Sequence, residues 1–376
     1  MVTVLVEADA VVEADAIGYG KSVLIEDGRV TRVGYFDAPA AARKLRVSGT
    51  LLPGLVDLQV NGMGGRACDE AGGDALLAVA QACARGGAAA FLPTLITAPF
   101  ETLLRRTSEL AQQILAFAGP GAIPLGLHLE GPFLEASGVH DESCFVDPTP
   151  ARIAALLAAA RGTWKLVTLA PARKGAPEAI AMLRAHGVQV AIGHATSTEH
   201  FAAAVAAGAG MVTHLFNAMG PIHHRNPGIA GLALDEAKLM ASLIVDGAHV
   251  HPAMVRNAFA CLGVDRTILV TDAVAAAGMP DGDYDLSGLR VRATDGVVKD
   301  AQGRLAGSAL TMAKAVRNFA TFVPDAGPWT LARVAATNPA RAIGMERHFG
   351  AIAVGARARF ALLAPSGELA AFDPDQ

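Results

Sequence analysis

Four side chains able to do chemistry each close a short apolar run. Ile123–Leu129 ends on Glu130, which Gly131 and Pro132 stop at once. Val188–Gly193 ends on His194, Gly210–Thr213 on His214, and Thr267–Thr271 on Asp272. A carboxylate at the end of a buried run is costly unless something positive meets it. A single histidine in such a place is more often a satisfied core or capping residue. Glu130 with His194 and His214 is a different case, because one carboxylate and two imidazoles suit Zn2+ best, with Fe2+, Mn2+ and Co2+ as alternatives. Three protein ligands leave a coordination position open for water, as a catalytic site needs. Asp272 admits a bland reading, a helix N-cap or buried structural aspartate. In its functional reading it takes a proton from water and returns it to a departing amine. The chemistry is then metal-assisted hydrolysis of an amide.

Other segments are informative beside these four. Asp57-Leu-Gln-Val-Asn-Gly offers Gln59 and Asn61, poor ligands for a second metal, so one ion per chain is expected. Asn217-Ala218-Met219 and Pro221–Gly228 put amide, imidazole and guanidinium groups into one loop. That loop is either merely solvated or built for an anionic, hydroxylated ligand, with the Arg225 fork matching phosphate oxygens. His249, in Asp246-Gly-Ala-His, is a second candidate contact. Ser308 reads as a helix cap, while the Leu305–Gly307 backbone is free to approach a ligand because glycine permits it. Gly62-Met-Gly-Gly is a glycine cluster that matches no nucleotide fingerprint.

These residues must be carried by something rigid. Apolar runs at Leu55–Val60, Ala89–Leu95, Ile123–Glu130, Lys165–Ala170, Val188–His194, Met211–His214, Leu239–Asp246 and Thr267–Asp272 read as eight strands. Helical periods fall between them, at 74–85, 99–117, 150–161, 176–186, 198–207 and 252–261, with 308–322 closing the series. Strands alternating with helices predict a (β/α)8 TIM barrel over 53–344, whose active site lies at the C-terminal strand ends. All four residues above fall there. Residues 1–52 and 345–376 carry short strands with turn signals and are expected to pair into one small β-sandwich domain. Residues 278–307 interrupt the last βα unit and read as a β-hairpin on the active-site rim, a candidate lid.

Composition bounds the rest. The 376 residues are 52% hydrophobic and 18% charged, with a net charge of −4 and no basic stripe, so a nucleic-acid partner is not expected. No apolar stretch is long enough to span a bilayer. The N-terminal stretch has neither the positive start nor the long apolar core of a signal peptide. Cys68, Cys83, Cys144 and Cys261 are widely spaced, as reduced thiols are. A cytoplasmic enzyme is expected.

With these motifs in hand, the chain resembles the N-acetylglucosamine-6-phosphate deacetylases of the amidohydrolase superfamily. The likeness rests on Leu52-Pro-Gly-Leu-Val-Asp-Leu-Gln-Val-Asn-Gly, His128-Leu-Glu-Gly-Pro-Phe-Leu, Gly193-His-Ala, Thr213-His-Leu-Phe-Asn-Ala-Met, Arg225-Asn-Pro-Gly, Asp246-Gly-Ala-His, Val270-Thr-Asp-Ala and Leu305-Ala-Gly-Ser-Ala-Leu-Thr-Met. The resemblance implies Glu130, His194 and His214 as metal ligands and Asp272 as the acid/base. It implies Val139, His140, Asn217, Ala218, Arg225, His249, Leu305, Ala306 and Gly307 as sugar-phosphate contacts. Similar enzymes are homodimers in which the matching arginine reaches the neighbouring site. The implied reaction is deacetylation of N-acetyl-D-glucosamine 6-phosphate. Alternatives are another amino sugar such as N-acetylgalactosamine 6-phosphate, or a non-catalytic scaffold on the same fold. Asn226, where the pattern usually has glutamate, and the short Glu135–Val146 segment depart from the family.

Overall fold

The computed structural model describes residues 2–70, 72 and 74–374. Eight parallel strands form the centre: Leu55–Val60, Ala88–Ile96, Leu127–Glu130, Trp164–Leu169, Gln189–Ile192, Met211–Val212, Met240–Ile244 and Thr267–Val270. Each pairs with the next in chain order. The first and last meet through a parallel bridge between Val60 and Ala273 and a bond from Asn61 N–H to the Ala273 carbonyl, 2.8 Å. The sheet is thereby a barrel of the (β/α)8 kind.

Strand alternation separates two apolar layers. Leu127, Leu129, Val167, Val190, Ile192, Val212 and Leu269 pack with helix residues such as Ile153, Leu156 and Ile180. Val56, Leu58, Leu92, Leu166, Ala191, Met211, Ile268 and Val270 form a second cluster on the opposite face. The helices at Asp74–Arg85, Phe100–Leu115, Pro150–Ala160, Ala176–Ala185, Phe201–Ala207, Pro252–Arg266 and Met312–Phe322 lie where the helical periods put them. Thr149, whose Oγ1 accepts from Arg152 N–H, starts one of them and Pro150 fits its first turn. One further helix, Gly228–Asp235, lies in the connection after the sixth strand.

The two chain ends meet in a mixed sheet of seven strands. Its backbone runs through Thr3–Val12, Ile17–Tyr19, Ser22–Glu26, Arg29–Gly34, Arg43–Pro53, Phe360–Leu363 and Leu369–Phe372. Its apolar face gathers Val4, Val6, Val23, Ile25, Leu51 and Phe360 into a separate cluster. The segment after the eighth barrel strand is larger than the hairpin expected from the sequence. It is a four-stranded antiparallel sheet, Gly282–Leu286, Leu289–Thr294, Val297–Asp300 and Leu305–Ser308. Three tight turns make it so, at Ser287-Gly288, Asp295-Gly296 and Gly303, with left-handed backbone at each of these residues. Its inner face buries Leu286, Val291, Ala293, Val298 and Ala306 against Val274 and Ala276.

Candidate active site

The third barrel strand aims His128 and Glu130 away from Leu127 and Leu129, which pack toward the helices. Along the eighth strand, Ile268 and Val270 face inward and Asp272 continues that parity. Strands five and six need a different device. Counting by twos from Ala191 and Met211 points Gly193 and Thr213 inward, one residue short of each histidine. The backbone leaves the strand at His194 and His214 in the left-handed region, φ +47 and +31, and Asp272 does the same at φ +51. Non-glycine residues adopt this conformation only where the surroundings hold them, and such positions concentrate in functional sites. Gly193 is required beside His194, since a Cβ there would come within 2.7 Å of Thr168 Cγ2.

The result is a convergence on one oxygen. His214 Nε2 lies 2.9 Å and His194 Nε2 3.2 Å from Glu130 Oε1. One ligand atom from each of the three residues lies within 4.8 Å of the others. His194 Nδ1–H donates to the Ala136 carbonyl at 2.7 Å, which leaves Nε2 as the lone pair turned toward Glu130. A lone pair and a carboxylate oxygen repel unless a cation lies between them, so the donor set fits a divalent ion. Burial opposes the charge on Glu130, but the imidazoles of His194 and His214 beside it hold the carboxyl well below the usual range. Burial lowers His214 and the bond to Glu130 raises it, with a net rise.

Gln59 and Asn61, read in the sequence only as missing ligands, have a positive role. Gln59 Nε2–H donates to Glu130 Oε1 and to Asp272 Oδ1, both at 3.0 Å. Asn61 Nδ2–H donates to Asp272 Oδ1 at 2.7 Å, and its own buried Oδ1 has no partner among the described residues. Two neutral amides thus fix the acid/base candidate beside the candidate metal ligands. Burial, and next the charge of Glu130, raise the Asp272 carboxyl to about 6.

A cavity of about 300 Å3 joins these groups to Asn61, Ile96, Gly138, Val139, His140, Asn217, Ala218, Ile244, His249, Leu286, Arg304, Leu305 and Gly307. Of the expected substrate contacts, Val139, His140, Asn217, Ala218, His249, Leu305 and Gly307 therefore share one space. His140 is buried with Nε2 3.7 Å from Glu130 Oε2 and Nδ1 2.9 Å from Thr97 Oγ1. Burial, then the charge of His194, push it down to about 3, so it is a neutral imidazole. His249 Nδ1–H donates to Asp246 Oδ2 at 2.6 Å, and Asp246 Oδ1 accepts from two backbone N–H groups. Ala306 is fully buried in the apolar cluster of the four-stranded sheet. Arg225 is exposed, outside this cavity, with Nη1 2.9 Å from His224 Nε2. Ser308 is not a helix cap: its hydroxyl donates to the Thr271 carbonyl at 2.6 Å, and Thr311 caps the helix. Sequence reasoning missed Leu286 and Arg304, since neither belongs to a recognisable motif.

The model of the Amidohydrolase family matches residues 50–375. An N-acetylgalactosamine-6-phosphate deacetylase of Escherichia coli O157:H7 is 38% identical, over 82% of each chain. An N-acetylglucosamine-6-phosphate deacetylase of Vibrio furnissii is 34% identical over 93% of this chain and 85% of that one. Among solved structures, a mutant N-acetyl-D-glucosamine-6-phosphate deacetylase from Mycobacterium smegmatis, in complex with N-acetyl-D-glucosamine-6-phosphate, superposes with a TM-score of 0.91. It is 35% identical and the match covers 100% of this chain and 98% of that one. The chain belongs to the amidohydrolase family and, within it, to the N-acetylglucosamine-6-phosphate deacetylases.

Proposed function

We propose that the enzyme hydrolyses the acetamide of N-acetyl-D-glucosamine 6-phosphate, giving D-glucosamine 6-phosphate and acetate. The observation that carries this reading is the meeting of Glu130, His194 and His214 on one oxygen, with Asp272 tied to the same Gln59 amide. Glu130, His194 and His214 would hold a divalent ion, which when bound would supply Lewis-acid polarisation of the acetyl carbonyl. Zn2+ best suits two imidazoles and a carboxylate, with Fe2+, Mn2+ and Co2+ as alternatives. Asp272 accepts a proton from the attacking water as the new C–O bond forms, then gives it to the sugar nitrogen as the C–N bond breaks. Gln59 and Asn61 orient that carboxylate for both transfers. Val139, His140, Asn217, Ala218, His249 and the Leu305–Gly307 segment hold the sugar phosphate.

Arg225 is assigned to the phosphate of the neighbouring subunit in a homodimer. Its exposure outside the chain's own cavity supports that reading. No helix among the described residues is long and apolar enough to cross a membrane. The four cysteines are unpaired, as in a reducing compartment, and on that ground we assign the enzyme to the cytoplasm.

The test is acetate release by the zinc-loaded enzyme from N-acetylglucosamine 6-phosphate. Steady turnover that stops on chelation and returns with metal is expected, and absence of turnover with each of the four metals would overturn the reading. The relative named for N-acetylgalactosamine 6-phosphate supports a second reading, the C4 epimer as substrate. The ratio of kcat/KM for the two epimers decides between them.

A further inference from the structure

A phosphate monoester carries close to two negative charges at neutral pH and is bound best by guanidinium forks. Arg225 does not line its own chain's cavity. Of the residues that do line it, Arg304 is the one arginine or lysine among those described. The other groups there able to carry positive charge are His140, His194, His214 and His249. His140 is held neutral, His194 and His214 are turned toward Glu130, and His249 is tied to Asp246.

Arg304 is also prepared for a ligand. It sits one residue before the last strand of the four-stranded sheet, beyond the turn at Gly303. Its Nε–H donates to Asp300 Oδ2 at 2.7 Å, and its backbone N–H to Asp300 Oδ1 at 2.9 Å. The Asp300 side chain is fully buried, while that of Arg304 is 51% exposed. Two bonds to one buried carboxylate therefore fix the root of the guanidinium. Neither Nη has a hydrogen-bond partner among the described residues. An arginine pinned at Nε, with neither Nη bonded to a described residue, that lines the cavity holding the proposed acid/base is preorganised for bidentate anion binding.

We propose that Arg304 is a specificity-determining residue that binds the substrate's 6-phosphate from within the same chain, with Asp300 as its anchor. This rests on the deacetylase reading given above and deepens it. The four-stranded sheet over the cavity thereby adds a guanidinium of this chain to the one that Arg225 of the partner subunit brings to the same phosphate.

The experiment compares kcat/KM for N-acetylglucosamine 6-phosphate and for unphosphorylated N-acetylglucosamine, in metal-loaded wild type and in Arg304→Gln. The ratio of the two values cancels the fraction of active enzyme, so partial misfolding of the variant does not mimic the effect. Loss of a charge-assisted fork should lower that ratio by about 10- to 100-fold. Asp300→Asn, which frees the guanidinium without removing it, should lower it in the same direction by a smaller factor. A wild-type ratio retained in Arg304→Gln overturns the assignment of Arg304 while leaving the deacetylase reading intact. A wild-type enzyme that deacetylates neither sugar overturns that reading, and this proposal with it.

Discussion

Asp57 lies beneath the site and offers a sharp test of how the eighth strand is held. Its side chain is fully enclosed. Thr271 Oγ1–H donates to Oδ2 at 2.5 Å, and the N–H groups of Thr271 and Gln59 donate to Oδ1 at 3.2 and 3.3 Å. These donors favour the carboxylate, but burial outweighs them, and the charge of Asp272 adds in the same sense. The carboxyl rises from 3.8 to about 7. A carboxyl raised in the fold keeps a proton that the unfolded chain has already released. Its contribution to stability is therefore complete below about pH 4 and is lost as pH climbs through about 7. From 3.8 to about 7, at ~1.4 kcal/mol per pH unit, the loss is roughly 4 kcal/mol.

Asp57→Asn keeps an acceptor for the two backbone donors and cannot ionise. Urea unfolding of both proteins from pH 4.5 to 7.5 should show the wild type losing roughly 2–4 kcal/mol relative to the variant across that window. Groups common to both proteins cancel in the difference. Parallel stability curves would mean that Asp57 is ionised in the fold at neutral pH, and would refute the reasoning.

Three further outcomes follow from the site itself. Asp272→Asn should lower kcat by about 10²- to 10⁴-fold with little change in bound metal, since proton transfer contributes on that scale; near-normal turnover at full metal content would remove Asp272 from the chemistry. Glu130→Gln should weaken metal binding, measured by competition with a chelator, by more than ~100-fold, because it takes the charged member from the ligand set; unchanged affinity would move the ion elsewhere. The acid limb of kcat/KM should lie at or below about pH 6, because Asp272, raised to about 6 by burial and Glu130, must be ionised to accept a proton and a bound dication favours its ionised form. A pH–rate profile whose acid limb lies clearly above 6 would count against this.

Much of this architecture was legible because barrels advertise themselves locally. Each strand is an apolar run, each helix a period, and the residue ending the run is the one at the mouth. Asp74–Arg85 is bounded in the structure as its pattern predicts. Other features had no local signature. The bonds from Gln59 to Glu130 and from Asn61 to Asp272 span 71 and 211 residues, so nothing near either amide announces its partner. The turn of His194 and His214 into the mouth depends on a left-handed residue that simple alternation does not foresee. Helix Gly228–Asp235 was obscured by its glycines and the preceding Pro227, which read as loop. Ser308 looked like a cap because it stands before a helical period, yet the chain first runs one more strand through it. Arg304 lies in an ordinary turn sequence, and only the folded sheet brings it over the cavity.

The root of that sheet has one more implication. Ser308 N–H donates to the Asp272 carbonyl at 2.9 Å, Val274 N–H to the Ser308 carbonyl at 3.0 Å, and the Ser308 hydroxyl to Thr271. The roof is thus stapled to the peptide units on either side of Asp272, the proposed proton carrier. Movement confined to its outer turns leaves that carrier in register, whereas lifting the roof from its base would pull the carrier out of alignment. Under the proposed mechanism, the footing of the sheet and the alignment of Asp272 therefore depend on the same few backbone atoms.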